Sequence, residues 1–380
     1  MKKLAFIALF PLILMSGEFE YKGNFGFETG YFHHDLDAKR DNSKALFLET
    51  ELRYESGESE VVAKLKGVWD ANDDNRRYVD FNDFYYRYNF ENSDILIGRN
   101  TLFWGALEFY NFADVFNTKD FLDDPFDYDS KLGSWNVAYT YYLENSEVSL
   151  IAKLHEEDQK MQDAKSIYNF LPLPYNDNLK SKKRPSIFLK YSGSGDEVQI
   201  DYSLIYLNGF DENRYLSVEN GFLRQNAYIV NKFIGFATLV LGDTIYKTEL
   251  SYALSDDKKV SDYGQIGVGL EHTLYSLLDK KDLGLLVEYY RYESDTKTKN
   301  LFVNDLMLGF RLSMNDLSSS EILGGLDIDL DNKEKIFFIK YDTRLFDKYK
   351  LALSYQHLSP KSDSVFEKLQ SLKLEFGYYF

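Results

Sequence analysis

The stretch Phe19-Glu20-Tyr21-Lys22-Gly23-Asn24-Phe25-Gly26-Phe27-Glu28-Thr29-Gly30-Tyr31 sets Phe or Tyr at 19, 21, 25, 27 and 31, with Glu20, Lys22, Asn24 and Glu28 between them. A period of two is the mark of a β-strand with one apolar and one polar face; helical spacing does not explain it. The pattern recurs along the chain, in Val61-Ala63-Leu65-Gly67-Trp69, Trp135-Val137-Tyr139-Tyr141-Leu143, Val198-Ile200-Tyr202-Leu204-Tyr206 and Leu306-Leu308-Phe310-Leu312-Met314. It returns in Tyr349-Leu351-Leu353-Tyr355 and in Leu372-Leu374-Phe376-Tyr378-Phe380, the last residues of the chain.

About 18 such segments can be laid out, with 16 as the alternative, at roughly 20 residues per strand and connector, a spacing that suits membrane-crossing strands. They run 19–33, 44–55, 60–70, 78–90, 94–104, 132–144, 147–155, 185–192, 197–208, 226–241, 243–254, 264–275, 283–292, 304–314, 320–330, 335–346, 349–358 and 371–380. Every second connector is short, and those between are mostly longer, 105–131 and 156–184 above all; 331–334 breaks the rule. Pro125, Pro172, Pro174 and Pro360 fall in connectors and Pro185 opens a strand. A closed barrel tolerates no missing amide inside its ladders. The expected fold is all-β: a transmembrane antiparallel up-and-down barrel with short periplasmic turns and long outer loops.

Composition agrees. The 380 residues are 17% aromatic yet polar on average, with mean hydropathy −0.40. With 44 Lys and Arg against 61 Asp and Glu, the net charge of −17 argues against a nucleic-acid partner, whose phosphates need a basic face. The absence of Cys removes disulfide scaffolds and thiolate chemistry. At the N-terminus, Lys2 and Lys3 precede an apolar run from Leu4 to Met15, then Ser16 and Gly17. That order reads as a secretory signal peptide over 1–17, too short to span a bilayer, followed by one barrel domain over 18–380.

The closing Leu-Lys-Leu-Glu-Phe-Gly-Tyr-Tyr-Phe, Leu372 to Phe380, resembles the C-terminal signature strand of Gram-negative outer-membrane proteins. In that group the final aromatic, here Phe380, is read by the barrel assembly machinery. Ile97-Gly98-Arg99, Phe103-Trp104-Gly105 and Asp114-Val115-Phe116-Asn117-Thr118-Lys119-Asp120 are similar to the strand-to-loop segment of porin-like barrels carrying Gly-Arg…Trp-Gly…Asp-x-x-Asn-x-x-Asp. Typical members have Pro where this chain has Thr118. Leu283 to Asp316 is similar to their later strands. The resemblance implies outer-membrane transport, and the analogy with porins implies a constriction loop after the fifth strand.

The parity that turns apolar residues to lipid turns charged ones to the lumen, since Lys or Arg facing lipid would cost roughly 2–4 kcal/mol at midplane. Lys153, Lys190, Lys247, Glu249, Glu271, Glu288, Arg311, Lys340 and Arg344 are therefore expected along a solute or ion pathway, with Arg99. The loop 105–131 is rich in aromatics and carboxylates, and is expected to fold inward. Asp114, Asp120, Asp123, Asp124 and Asp127 would then face lumenal cations across a constriction. The function this implies is a porin-like channel for passive diffusion of small polar or charged solutes, constricted by that loop. The alternatives are a non-conducting structural or export-accessory barrel, and an outer-membrane lipase suggested by His357-Leu358-Ser359. Outer-membrane lipid and small solutes are the expected partners, with a homo-trimer as one possibility. Asp123 to Asp129 offers oxygen ligands but lacks the Gly and closing Glu of an EF-hand loop, and Asp70 to Asn75 reads as a solvated loop tip; neither is assigned a metal, and no cofactor or catalytic residue is assigned.

Overall fold

A computed structural model describes residues 17–34, 41–124, 130–161, 166, 175–176, 184–277, 280–295, 302–361 and 368–380. Eighteen strands form one closed sheet. They are β1 (Glu18–His34), β2 (Asn42–Ser56), β3 (Ser59–Asp70), β4 (Arg77–Asn89), β5 (Ser93–Asn100), β6 (Ser134–Tyr142), β7 (Ser146–Lys153), β8 (Ser186–Ser194) and β9 (Ile200–Phe210). The second half comprises β10 (Ile229–Leu241), β11 (Thr244–Ser255), β12 (Tyr263–Leu277), β13 (Lys281–Ser294), β14 (Asn304–Ser313), β15 (Glu321–Asp329), β16 (Lys335–Leu345), β17 (Tyr349–Ser359) and β18 (Leu369–Tyr379). Each strand pairs antiparallel with the next, and β18 closes on β1 from Asn24 opposite Tyr379 to His34 opposite Leu369. This sheet has no open edge, so its backbone groups are satisfied without water.

The alternation read from sequence is the wall of this barrel. On β18 Leu372, Leu374 and Phe376 face outward, and Lys373 between them turns inward to an ion pair. The outer face repeats this with Phe25 and Phe27, Leu46 and Leu48, Val137 and Tyr139, Leu285 and Val287, a surface suited to a hydrocarbon solvent. One register shift in β4 changes the parity. Lys64 lies opposite Asp83 but Leu65 opposite Phe81, leaving Asn82 as a bulge. Outward residues accordingly pass from Val79 and Phe81 to Phe84 and Tyr86.

Three features depart from the sequence expectation. The fifth strand ends at Asn100 and not at 104. Side chains take over there: the Thr101 amide donates to Asp83 Oδ1 (2.7 Å) and the Leu102 amide to Asn117 Oδ1 (2.7 Å), which turns the chain inward. The outer loop expected over 209–225 contains an antiparallel ribbon, Tyr215–Glu219 with Phe222–Asn226. Nor is the lumen polar all round. Ile151, Phe188, Ile205, Leu207, Val230, Ile234 and Ala253 on β7 to β11 share one buried core with Trp104, Phe112, Phe116, Tyr228 and Val260 from loops. Over that sector the inward face is apolar because loops, not water, lie against it.

Candidate functional site

The loop between β5 and β6 crosses the lumen, and its described residues are fastened to the wall at several points. At its root Asn117 Nδ2 donates to the Asn100 carbonyl (3.0 Å) and the Leu132 carbonyl (2.9 Å), tying the outgoing and returning segments together. Gly105 has φ +122°, and a Cβ there would lie 2.0 Å from the Asn111 side chain, so only glycine fits this turn. Asp114, nearly fully buried, pairs with Lys131 (2.8 Å) and Lys119 (3.3 Å) inside the loop itself.

Beyond the turn the backbone has no ladder partner, and two wall carboxylates supply one. Glu249 on β11 accepts the amides of Ala106 (2.7 Å), Leu107 (3.0 Å) and Ala113 (3.0 Å). Glu288 on β13 accepts those of Glu108 (2.8 Å) and Phe109 (3.0 Å). Charge-assisted bonds of this kind are the stronger class. Lys247 joins Glu108 (2.6 Å) to Glu271 (3.0 Å). The loop's apolar side chains seat on inward glycines. Leu107 lies over Gly267 and Gly269, Phe112 over Gly267, and Phe109 over Gly309 and Gly325; a Cβ at Gly325 would meet the Phe109 ring at 2.5 Å. Phe109 also packs on Phe338 (5.9 Å between ring centroids).

The acidic end of the loop reaches the opposite wall. Asp123 pairs with Lys66 on β3 (2.8 Å) and Arg76 (3.3 Å), and accepts from the Tyr78 hydroxyl. Asp124 pairs with Lys373 on β18 (2.7 Å) and accepts from Gln356 on β17 (3.2 Å). Burial alone would raise the Asp123 carboxyl, but Lys66 and Arg76 outweigh it and hold the group well below the usual carboxylate range. Asp120 lies the other way: burial, with Asp123 nearby, raises it against Lys160. Held at both ends, the loop leaves a cavity of about 550 Å³ between itself and the wall of β1 to β3 and β14 to β18. Glu28, Glu49, Glu108, Asp123, Asp124, Asp327 and Glu375 line it, against Lys66, Arg76, Lys340 and Lys373, with Phe47, Phe109, Met307, Ile336 and Phe338 as its apolar part. A smaller cavity of about 280 Å³ lies between the loop and β2 to β4, lined by Asp80, Asp120 and Lys131 among others.

No protein-family model matches the sequence, and no curated protein matches it. Among solved structures the chain is similar to OccAB4 of Acinetobacter baumannii, with a TM-score of 0.63 at 10% identity over 96% of this chain and 98% of that one. It is similar also to OccK11 (OpdR) of Pseudomonas aeruginosa, at 0.60 and 8% identity over 95% and 96%. OccK3 (OpdO) of the same organism gives 0.57 and 10% over 95% and 96%. The likeness is one of fold.

The residues expected along the pathway separate into groups. Asp123 and Asp124 meet the cavity as paired carboxylates, and Lys340 lines it beside Asp342 (3.1 Å). Glu249 and Glu288 are buried beneath the loop as its fastenings, and Lys153 is buried with Glu156 (2.7 Å) and the Phe116 carbonyl (2.9 Å). None of the three lines the cavity; the loop's amides and carbonyls claim them. Lys190 pairs with Glu147 (2.9 Å), Arg311 with Glu321 (3.6 Å), and Arg344 lies over the Tyr379 ring, three contacts that brace the wall near its short turns. Arg99 shares the outer-face row of Phe84 and Trp135 and turns back to Glu157 (2.6 Å) and the Phe81 carbonyl (2.7 Å). Asp127 lies outside the described residues.

The stretch Asp70 to Asn75, expected as a solvated tip, is exposed at Ala71, Asp74 and Asn75, but Asp70 and Asp73 are buried, and Asp70 pairs with Arg76 (2.8 Å), which also binds Glu28 (2.8 Å). Sequence reading passed over Arg76; the cue was a basic pair closing an acidic turn. His357 Nε2 and Ser359 Oγ lie 2.5 Å apart, but the buried Nδ1 of His357 has no hydrogen-bond partner to orient the ring as a general base.

Proposed function

We propose that the protein is a porin-like channel of the bacterial outer membrane for passive diffusion of small polar or charged solutes, narrowed by the acidic, aromatic loop 105–131. The observation that carries this reading is the loop fastened across the lumen at both ends, leaving a charged cavity beside it. A polar cavity of that size inside a barrel is filled by water more cheaply than by packing, because isolated charges need solvent or partners. The solved outer-membrane channels of like fold support the same reading. Seven carboxylates against four bases around the cavity favour cations. In this reading residues 1–17 direct export, Phe380 is the handle for barrel assembly, and a homo-trimer would follow porin practice.

The experiment is single-channel conductance of the refolded protein in a planar bilayer, with a salt gradient to read selectivity. Discrete steps with a cation-biased reversal potential are expected. A folded barrel that never conducts would sink the reading and favour the second one, a non-conducting accessory barrel. The observation in favour of that alternative is the apolar core filling the lumen along β7 to β11.

A further inference from the structure

Among the described residues three carboxylates lining the cavity, Glu49, Asp327 and Glu375, have no ion-pair partner, and Asp327 is the most deeply buried of them. Asp327 on β15 faces the lumen between Met307 on β14 and Ile336 on β16, its cross-strand neighbours. Its side chain is over nine-tenths buried, and Oδ1 has no hydrogen-bond partner. Behind it Asp305 and Asp329 lie directly opposite one another on β14 and β15. Asp305 is fully buried and likewise keeps one oxygen unpartnered, while Asp329 is occupied by the turn that follows, accepting from Asp331 and Asn332. Like charges opposed in a ladder destabilise it unless something neutralises them. Elsewhere around this cavity Asp123, Asp124 and Glu108 each have a Lys or Arg partner.

We propose that Asp327, backed by Asp305 and Asp329, is a binding station for the ammonium group of a solute whose remaining body is apolar. The surroundings choose the class. Among the described residues no three His, Asp or Glu side chains are arranged to hold a metal ion, so a divalent cation is disfavoured. The walls beside the carboxylate are Met307, Ile336, Phe302, Phe338 and the Phe109 ring, which rests on Gly325 two residues before Asp327. An anion would meet the Asp327 carboxylate, with Asp305 and Asp329 behind it. A bare inorganic cation would leave the apolar wall unused, whereas an alkyl or aryl ammonium ion satisfies the carboxylate and removes its own apolar surface from water. This inference rests on the channel reading for the solute's route, but the station itself can be tested without current.

The test is isothermal titration of the refolded full-length barrel in detergent with 2-phenylethylammonium, methylammonium and phenylacetate, for the wild type, Asp327→Asn and Met307→Lys. The second variant tethers an ammonium beside the carboxylate. Phenylethylammonium is expected to bind at least about tenfold more tightly than either other probe, and to lose about tenfold or more in both variants, as removal of a charged hydrogen bond does. Equal affinity in wild type and Asp327→Asn, or phenylacetate binding as tightly as the amine, would overturn the proposal. Should either variant fail to fold, the three-probe comparison on the wild type still decides. Conductance of the same preparation separates the two claims: a conducting barrel without amine preference removes only the station, and amine binding without current removes only the channel.

Discussion

The Asp123 carboxylate lies 2.8 Å from the Lys66 ammonium, one group carried by the loop and the other by β3. This pair makes the loop a bridge and not a flap, because the loop's first turn is fastened to β11 and β13 on the other side. The opening beside it is therefore bounded by two fixed walls.

Arg76 holds that bridge to Glu28 and Asp70 as well as to Asp123. Arg76→Gln leaves Asp70 buried without its cation, and losing one partner of a buried pair costs about 3–5 kcal/mol. Lower thermal stability is expected, with larger and noisier conductance steps as the loop's acidic end comes free. Unchanged steps in a folded variant would show that the clasp does not set the opening.

At the other end, Glu249→Gln and Glu288→Gln weaken charge-assisted bonds, each worth about 1.5–3 kcal/mol. The double variant should expose the backbone over Ala106 to Ala113 to a protease added to the folded barrel. Gel mobility before and after digestion reads this directly; equal resistance in wild type and double variant would contradict the fastening.

Parity can be tested with adjacent residues. Leu353 is exposed on the outer face, and Ser354 lines the cavity. Leu353→Lys should destabilise the barrel in lipid by about 2–4 kcal/mol. Ser354→Lys should leave the unfolding midpoint nearly unchanged and shift the reversal potential away from cations. The reverse ranking of stabilities would mean the strand faces the other way.

Stability should also depend on pH through Glu212, in the loop after β9. Burial and the adjacent Asp211 push its carboxyl up to about 8 against the opposing Lys232, which bonds it at 2.5 Å. The folded state thus keeps a proton that the unfolded chain releases near 4.5, so stability falls as pH rises between those values. Asp123, held low, has the opposite sign and loses its contribution as pH falls below the ordinary carboxylate range. Urea midpoints at pH 6 and pH 9 should differ in the wild type, with the higher value at pH 6, and the difference should shrink in Glu212→Gln. A flat profile in the wild type would remove this role from Glu212.

The eighteen strands and their antiparallel order were legible in the amino-acid sequence. A two-residue period binds each side chain to one face, and lipid punishes a charge on the wrong one, so local pattern and global fold had to agree. Sequence could not say which inward charges face open water. Lys247 and Lys373 both take the inward parity, yet Lys247 is buried between a loop carboxylate and Glu271, whereas Lys373 lines the cavity. Nor could it show that Phe188 and Leu207 would line a packed lumen, that Arg76 would leave a polar turn for the interior, or that Asp327 would be left without a cation. Those outcomes depend on which loop arrives at which wall, across up to 249 residues of separation in the case of Asp124 and Lys373. Pairings of that range are settled only by closure of the barrel and by competition among its loops for the space inside.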